Sequence, residues 1–237
     1  SDNSIDRLLY GHSSLVPKNS RSMRQVTLVN QVYAINTTNK TITLRYPLVM
    51  SLPESLNPTI YSHDSQVYAI QDLTFRGKGG KYPGHFNEVG NNYIQFVNVH
   101  KGWAKNITFE NADIAFKLSN CLSNNLDNLT FKGRMGHHGL WIIGGGYNLT
   151  SNFQVENNWV HDISVEGTTV NNVFHKGYGE NLNFDCHRHG PYGTLVTNVN
   201  VGRGTRYSQS SGAGHRGAHS GAHNTFWGVM TNLCEVY

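Results

Sequence analysis

The chain of 237 residues carries a formal charge of only +4, and charged residues make up 14% of it. No apolar run approaches the roughly 18 residues of a membrane span, the basic residues follow no recognised nucleic-acid module, and long runs of helix-favouring residues are missing. Glycine (25 residues) and asparagine are abundant instead, a composition suited to strands and turns.

Near the N-terminus, residues 24–29 (Arg-Gln-Val-Thr-Leu-Val) and 40–44 (Lys-Thr-Ile-Thr-Leu) read as two alternating strands joined by the turn-prone residues 36–39. Pro47, Pro53 and Pro58 then break regular pairing. Residues 1–60 are expected to form an N-terminal β-rich cap or lead-in. A stack of coils fills 61–237, and such a stack needs its open end covered.

From about residue 65 one phrase returns: Asp72-Leu73-Thr74-Phe75, Asn106-Ile107-Thr108-Phe109 and Asn128-Leu129-Thr130-Phe131. Looser copies stand at 152–155, 171–174 and 198–201, and from Phe109 onward the fourth residues are 22, 24, 19 and 27 residues apart. A strand-like phrase recurring every 20–30 residues or so marks a solenoid, each copy being one coil.

A second strand fills each coil at residues 114–117, 140–143, 163–166 and 182–185. Alternation turns Ile114/Leu140/Ile163/Leu182 and Phe116/Ile142/Val165/Phe184 inward as two stacks. It turns Ala115, Trp141, Ser164 and Asn183 outward in one column, with Lys117, Ile143, Glu166 and Asp185 in the next. The Asn opening each phrase is expected to stack as an amide ladder that satisfies buried backbone groups. These columns predict an all-β parallel β-helix.

The Asp/Asn-Ile/Leu-Thr-Phe coils, with their outward aromatic and ionic columns, resemble right-handed parallel β-helix proteins that act on polysaccharides. These are the pectate-lyase-like enzymes, the alginate and chondroitin lyases, and related hydrolases and epimerases. The resemblance covers residues 60–237 as a fold pattern and transfers no catalytic residue position by position. It implies a right-handed parallel β-helix (solenoid) and a polysaccharide partner.

The densest chemistry lies in Asp185-Cys186-His187-Arg188-His189. With the strand continued, Asp185, His187 and His189 share the outward face. Glu166, in the equivalent slot one coil earlier, is then about 5 Å from Asp185. Imidazoles recur beside the same sheet: His137 and His138 before Trp141, His161 before Ile163, and His215, His219 and His223 before Thr225-Phe226-Trp227, read as that strand's next copy. From Cys186 to Cys234 there is no acidic residue, while Arg188, Arg203, Arg206 and Arg216 fall there, which suits an anionic partner.

Three reactions compete for these residues. In β-elimination on an acidic polysaccharide, His187, His138, Lys176 and Tyr178 are candidates for proton transfer, and Arg188, Arg203 and Arg216 for the carboxylate clamp. Trp141 is a sugar platform, and Glu166, Asp185, His189, His219 and His223 complete the binding surface. In glycoside hydrolysis, Glu166 and Asp185 are the paired acid and base. In a metal reading, Glu166, Asp185, His187 and His189 hold a cation, Ca²⁺ if carboxylates dominate and a transition metal if histidines do. A glycan-binding β-helix without catalysis, such as an adhesin or tailspike, is the non-enzymatic alternative.

The favoured expectation is a polysaccharide lyase, secreted or extracellular, with no nucleic-acid partner and no membrane span. His85 and His100 read as ordinary surface histidines. Five Asn-x-Ser/Thr sequons occur, at Asn36, Asn39, Asn106, Asn128 and Asn148. Two of them, at Asn106 and Asn128, coincide with repeat phrases, where Asn and Thr have structural uses, so they add little to an assignment of export. The three cysteines show no metal-ligand spacing, and Cys186 reads as a small core residue.

Overall fold

The computed structural model describes residues 26–232. Strands β1 (Val32–Asn36) and β2 (Thr41–Leu44) form an antiparallel hairpin. Residues 26–30 are not a strand, so the first predicted strand lies later than expected, and Arg24 and Gln25 fall outside the described residues. The lead-in rests on the flank of the coils. The Tyr46 ring stacks on Tyr147 at 4.7 Å, the Tyr147 hydroxyl donates to Pro47 O at 2.7 Å, and Thr168 donates to Thr27 O at 3.0 Å.

The rest winds into coils. A seven-stranded parallel sheet takes β3 (Ala69–Arg76), β5 (Trp103–Glu110), β7 (Asn125–Lys132), β9 (Leu149–Val155), β11 (Val173–Gly179), β13 (Leu195–Asn200) and β14 (Thr225–Trp227). A five-stranded parallel sheet takes β4 (Asn92–Val97), β6 (Ile114–Ser119), β8 (His138–Ile143), β10 (His161–Glu166) and β12 (Phe184–Cys186). Single parallel bridges link His100, Leu122, Gly146, Val170 and Tyr192 along a third line. No α-helix occurs among the described residues. The fold is a parallel β-helix of about five turns.

The repeating phrase has a local cause. Asp72, Asn106, Asn128, Asn152, Lys176 and Asn198 all adopt φ between 53° and 59° in the middle of their strands. Asn and Asp tolerate this left-handed region better than most residues, and one such residue bends the strand around the core. The phrase in β11 is therefore Lys176-Gly177-Tyr178-Gly179, since Gly179 pairs with Val155, and residues 171–174 are not the copy. Counted through Gly179, the spacings from Val155 to Val201 become 24 and 22, and the irregular pair disappears.

That copy lacks an inward aliphatic residue for a packing reason. A Cβ placed on Gly177 would come within 2.0 Å of the Phe153 ring, which fills the space from the preceding coil. Gly177→Ala is expected to destabilise the chain by about 1–3 kcal/mol through overpacking. A denaturant midpoint equal to wild type would show that Phe153 is free to move aside.

The inward stacks exist and β8 pairs with β10 as expected, but β6 and β12 are each two residues out of the expected register. Phe116, Leu140, Ile163 and Phe184 form one column and Leu118, Ile142, Val165 and Cys186 the next, while Ile114 pairs with His138. The outward columns shift with them, to Lys117, Trp141, Ser164 and Asp185, then Ser119, Ile143 and Glu166. Asp185 thus lies beside Ser164 rather than Glu166. The register follows the aromatic interior: Phe184 packs edge-on to Phe174 at 5.3 Å and to Phe153 at 6.4 Å. Phe75, Phe109 and Phe131 stack at 5.8 and 5.2 Å.

A buried amide ladder is present, at a different position from the one expected. Asn124 Nδ2 donates to Asn148 Oδ1 at 2.9 Å, and Asn148 Nδ2 to Asn172 Oδ1 at 3.0 Å. The backbone N–H groups of Gly102, Asn124 and Asn148 donate into the same ladder. The phrase asparagines Asn106 and Asn128 stack too, but in an exposed line. Asn148 is therefore a buried structural amide and cannot carry a glycan without unfolding its coil.

Candidate functional site

The site lies on the outer face of the five-stranded sheet, where two other segments fold over it. Residues 201–224, between β13 and β14, run along the free edge of β12. Phe184 N donates to Tyr207 O at 2.8 Å, and Asn183 Nδ2 donates to Arg206 O at 2.9 Å and Gln209 O at 2.7 Å. Residues 77–91, between β3 and β4, bring Tyr82, His85 and Glu88 to the starts of β8 and β10. The sheet face expected to be open is thereby covered around Asp185 and Glu166, which are 1% and 5% exposed.

Asp185 is the centre. Its Oδ2 accepts from His187 Nδ1 at 2.6 Å, His161 Nδ1 at 3.0 Å and Ser211 Oγ at 2.7 Å, and its Oδ1 accepts from Ser211 N at 2.7 Å. Burial alone would raise this carboxyl. The hydrogen bonds from His161 and His187 outweigh it and hold the group well below the usual carboxylate range. Asp185 is therefore an anion at neutral pH. It holds both imidazoles with Nδ1 protonated, leaving Nε2 as the nitrogen with a lone pair.

Next to this lies a stack of rings. His137 lies 4.4 Å from His138, and His138 lies 4.1 Å from Trp141 with their planes 5° apart. His138 Nδ1 meets Ser164 Oγ at 3.0 Å, and Lys117 Nζ sits 4.3 Å from the Trp141 centroid. Trp141 is thus engaged by protein groups and is not a free platform. Burial lowers His137 to about 4 despite Glu88, and it holds His138 well below the ordinary imidazole value, with the neighbouring imidazoles pushing the same way. Both rings are neutral at pH 7.

Glu166 is committed elsewhere. Its Oε1 accepts from Arg216 and its Oε2 from Trp141 Nε1 at 3.1 Å. The acid-free tail is likewise not a free positive wall. Arg216 pairs with Glu166, Arg206 with Asp162 at 3.1 Å, and Arg188 donates to Gly212 O at 2.8 Å and to Gly217 O. Arg188 also meets His219 Nε2 at 3.1 Å, so Arg188 and His219 fix the covering loop.

The structure separates several other candidates from this cluster. Lys176 and Tyr178 stand on β11, in the seven-stranded sheet, and so do not face His187. The strand expected through His189 ends at Cys186. Arg188 and His189 have φ of 71° and 61°, so His189 does not continue the outward row. Thr225-Phe226-Trp227 is β14 of the seven-stranded sheet, not a further copy of the Trp141 strand. His223 packs against Tyr192, and Arg203 is exposed. Burial raises the Cys186 thiol to about 11, which suits its reading as a packing residue.

Residues that sequence reasoning passed over complete the site. His85, read as an ordinary surface residue, has Nε2 3.0 Å from His137 Nε2. Ser164 and Ser211 hold His138 and Asp185, and Glu88 lies 3.3 Å from His137 Nδ1. Only the density of histidine beside the coils signalled any of this. Comparison of the chain with protein-family models, with curated proteins and with solved structures gave no match.

Proposed function

We propose that the outer face of the five-stranded sheet is the active site of a polysaccharide lyase that cleaves uronate-containing chains by β-elimination, with His187 as the base. The observation that carries this is the contact between buried, ionised Asp185 and His187 Nδ1 at 2.6 Å. The His187 side chain is 13% exposed, and the arrangement presents its Nε2 lone pair while stabilising the imidazolium that forms. The carboxylate of a uronate acidifies the adjacent C5 proton. His187 Nε2 takes that proton, the C4–O bond breaks as the C4=C5 double bond forms, and the proton passes to the departing oxygen.

Two-carboxylate hydrolysis fits less well. It needs one carboxyl group that is protonated near neutral pH and a second that reaches water or the anomeric carbon. Asp185 is held ionised, and Glu166 is tied to Arg216 and Trp141. Glu166→Gln is accordingly expected to retain most turnover while lowering stability, because Arg216 loses its partner.

The test is incubation with a panel of uronate and neutral polysaccharides, following ultraviolet absorbance of a new unsaturated bond alongside reducing ends. Absorbance rising in step with reducing ends on a polyuronate is the expected result. Reducing ends without absorbance would replace this reading by hydrolysis, and binding without either would leave a glycan-binding β-helix. Polyuronate binding is expected to weaken as salt rises, since exposed charges are screened over about 10 Å at 0.1 M. An affinity that does not change between low and high salt would remove the acidic substrate.

A further inference from the structure

Beside the proposed base lies a second constellation, which the elimination chemistry does not use. Residues 77–91 carry His85 across the starts of β8 and β10, where His137 and His161 stand. One ring nitrogen from each of these three histidines lies within 4.8 Å of the other two. Carboxylates stand behind two of them. His137 Nδ1 faces Glu88 Oε1 at 3.3 Å, and that oxygen also accepts from the Tyr82 hydroxyl. His161 Nδ1 faces Asp185 Oδ2 at 3.0 Å.

In a neutral imidazole with Nδ1 protonated, Nε2 is a bare lone pair. His161 Nε2 is enclosed with no hydrogen-bond partner, in a side chain only 5% exposed. His137 Nε2, with its proton on Nδ1, accepts from His85 Nε2 at 3.0 Å. Imidazole nitrogens converging on one point, two of the three backed by a carboxylate at the other nitrogen, match how metal-bound histidines are oriented.

We infer that His85, His137 and His161 form a three-histidine site for a divalent transition-metal ion of the zinc type, bound through their Nε2 atoms. Three neutral nitrogen donors without a carboxylate oxygen suit Zn²⁺ or Co²⁺ and not Ca²⁺. Bonds of about 2.0–2.1 Å in tetrahedral geometry put the nitrogens about 3.3 Å apart, which asks only small side-chain shifts of the present arrangement. His85 is exposed, so the fourth position opens to solvent and to a ligand oxygen. A second triad, His161, Asp185 and His187, shares one ligand. Its nitrogens already donate protons to Asp185, so a metal there would have to displace them. The Nε2 site leaves the hydrogen bonds to Asp185 in place and asks only a change of tautomer at His85.

The test is metal binding by the full chain without substrate, so its result is independent of whether the lyase reading holds. After chelator treatment the protein is titrated with Co²⁺, following visible absorption and bound metal per chain. The expected result is one Co²⁺ per chain with the intense absorption of four-coordinate cobalt, displaced by Zn²⁺. His85→Ala, on an exposed loop, should abolish that absorption with an unchanged far-ultraviolet circular dichroism spectrum. Glu88→Gln should weaken affinity by about 10–100-fold, and His187→Ala should leave the absorption in place. Absence of stoichiometric Co²⁺ in the wild type overturns the site. Loss in His187→Ala together with retention in His85→Ala overturns it equally, since the ion would then belong to the Asp185 triad.

Discussion

Replacing His187 with alanine is expected to lower turnover on a polyuronate by about 10²–10⁴-fold, the range a positioned general base contributes. Affinity for the glycan should change little, because proton transfer belongs to the transition state and not to the bound ground state. Asp185→Asn should lower turnover as well, since the amide can neither stabilise the imidazolium nor fix Nδ1–H on both His161 and His187. The measurement is kcat and KM for each variant by unsaturated-bond absorbance, with binding followed separately. Wild-type turnover in His187→Ala would sink the assignment of the base. Attention would then pass to the neutral, buried His138 and to the three histidines beside it.

The second large effect is on stability. Asn148→Ala is expected to destabilise the fold by about 3–5 kcal/mol. The substitution leaves Asn124 N unpaired and removes one of two partners from Asn124 Nδ2, Cys121 O and Asn172 Oδ1, which keep Val99 O, Gly146 N and Asn148 N. A buried group left unpaired costs about 1–3 kcal/mol and each further hydrogen bond lost about 0.5–1.5 kcal/mol. Asn128→Ala, in the exposed line of phrase asparagines, should cost far less. Chemical denaturation of the two variants gives the comparison. Equal losses at both positions would mean that the buried ladder is no more important than the exposed one. The same experiment bears on glycosylation, because only Asn148 among the five sequons is placed inside the stack.

Several features of this protein follow from the order of residues alone. Period-two alternation separated core from surface: Phe116, Leu140, Ile163 and Phe184 are buried, and Trp141, Ser164 and Asp185 share the outward column. The recurring Asx-aliphatic-Thr-Phe phrase announced the coil because each copy performs the same backbone task, a left-handed residue that bends a strand. The histidine-rich starts of β8 and β10, and the run from Asp185 to His187, were legible as groups beside one sheet, and they meet on the outer face of the five-stranded sheet.

Register and coverage were decided by the tertiary structure. Sliding one strand by two residues leaves its alternation intact, so the sequence pattern is equally satisfied whether Asp185 neighbours Glu166 or Ser164. The choice is made by how Phe184 fits among Phe153 and Phe174, a matter of volume and not of period. The β11 copy escaped notice for the same reason, since Gly177 is small only because Phe153 from the preceding coil fills its space. The meeting of His85 with His137, and of Ser211 with Asp185, joins residues 52 and 26 positions apart through loops whose paths carry no periodicity. Those loops close the sheet face and turn Arg188, Arg206 and Arg216 toward carboxylates and carbonyls of this same chain. A contact made between coils depends on three-dimensional packing, and one-dimensional spacing records only what each coil does for itself.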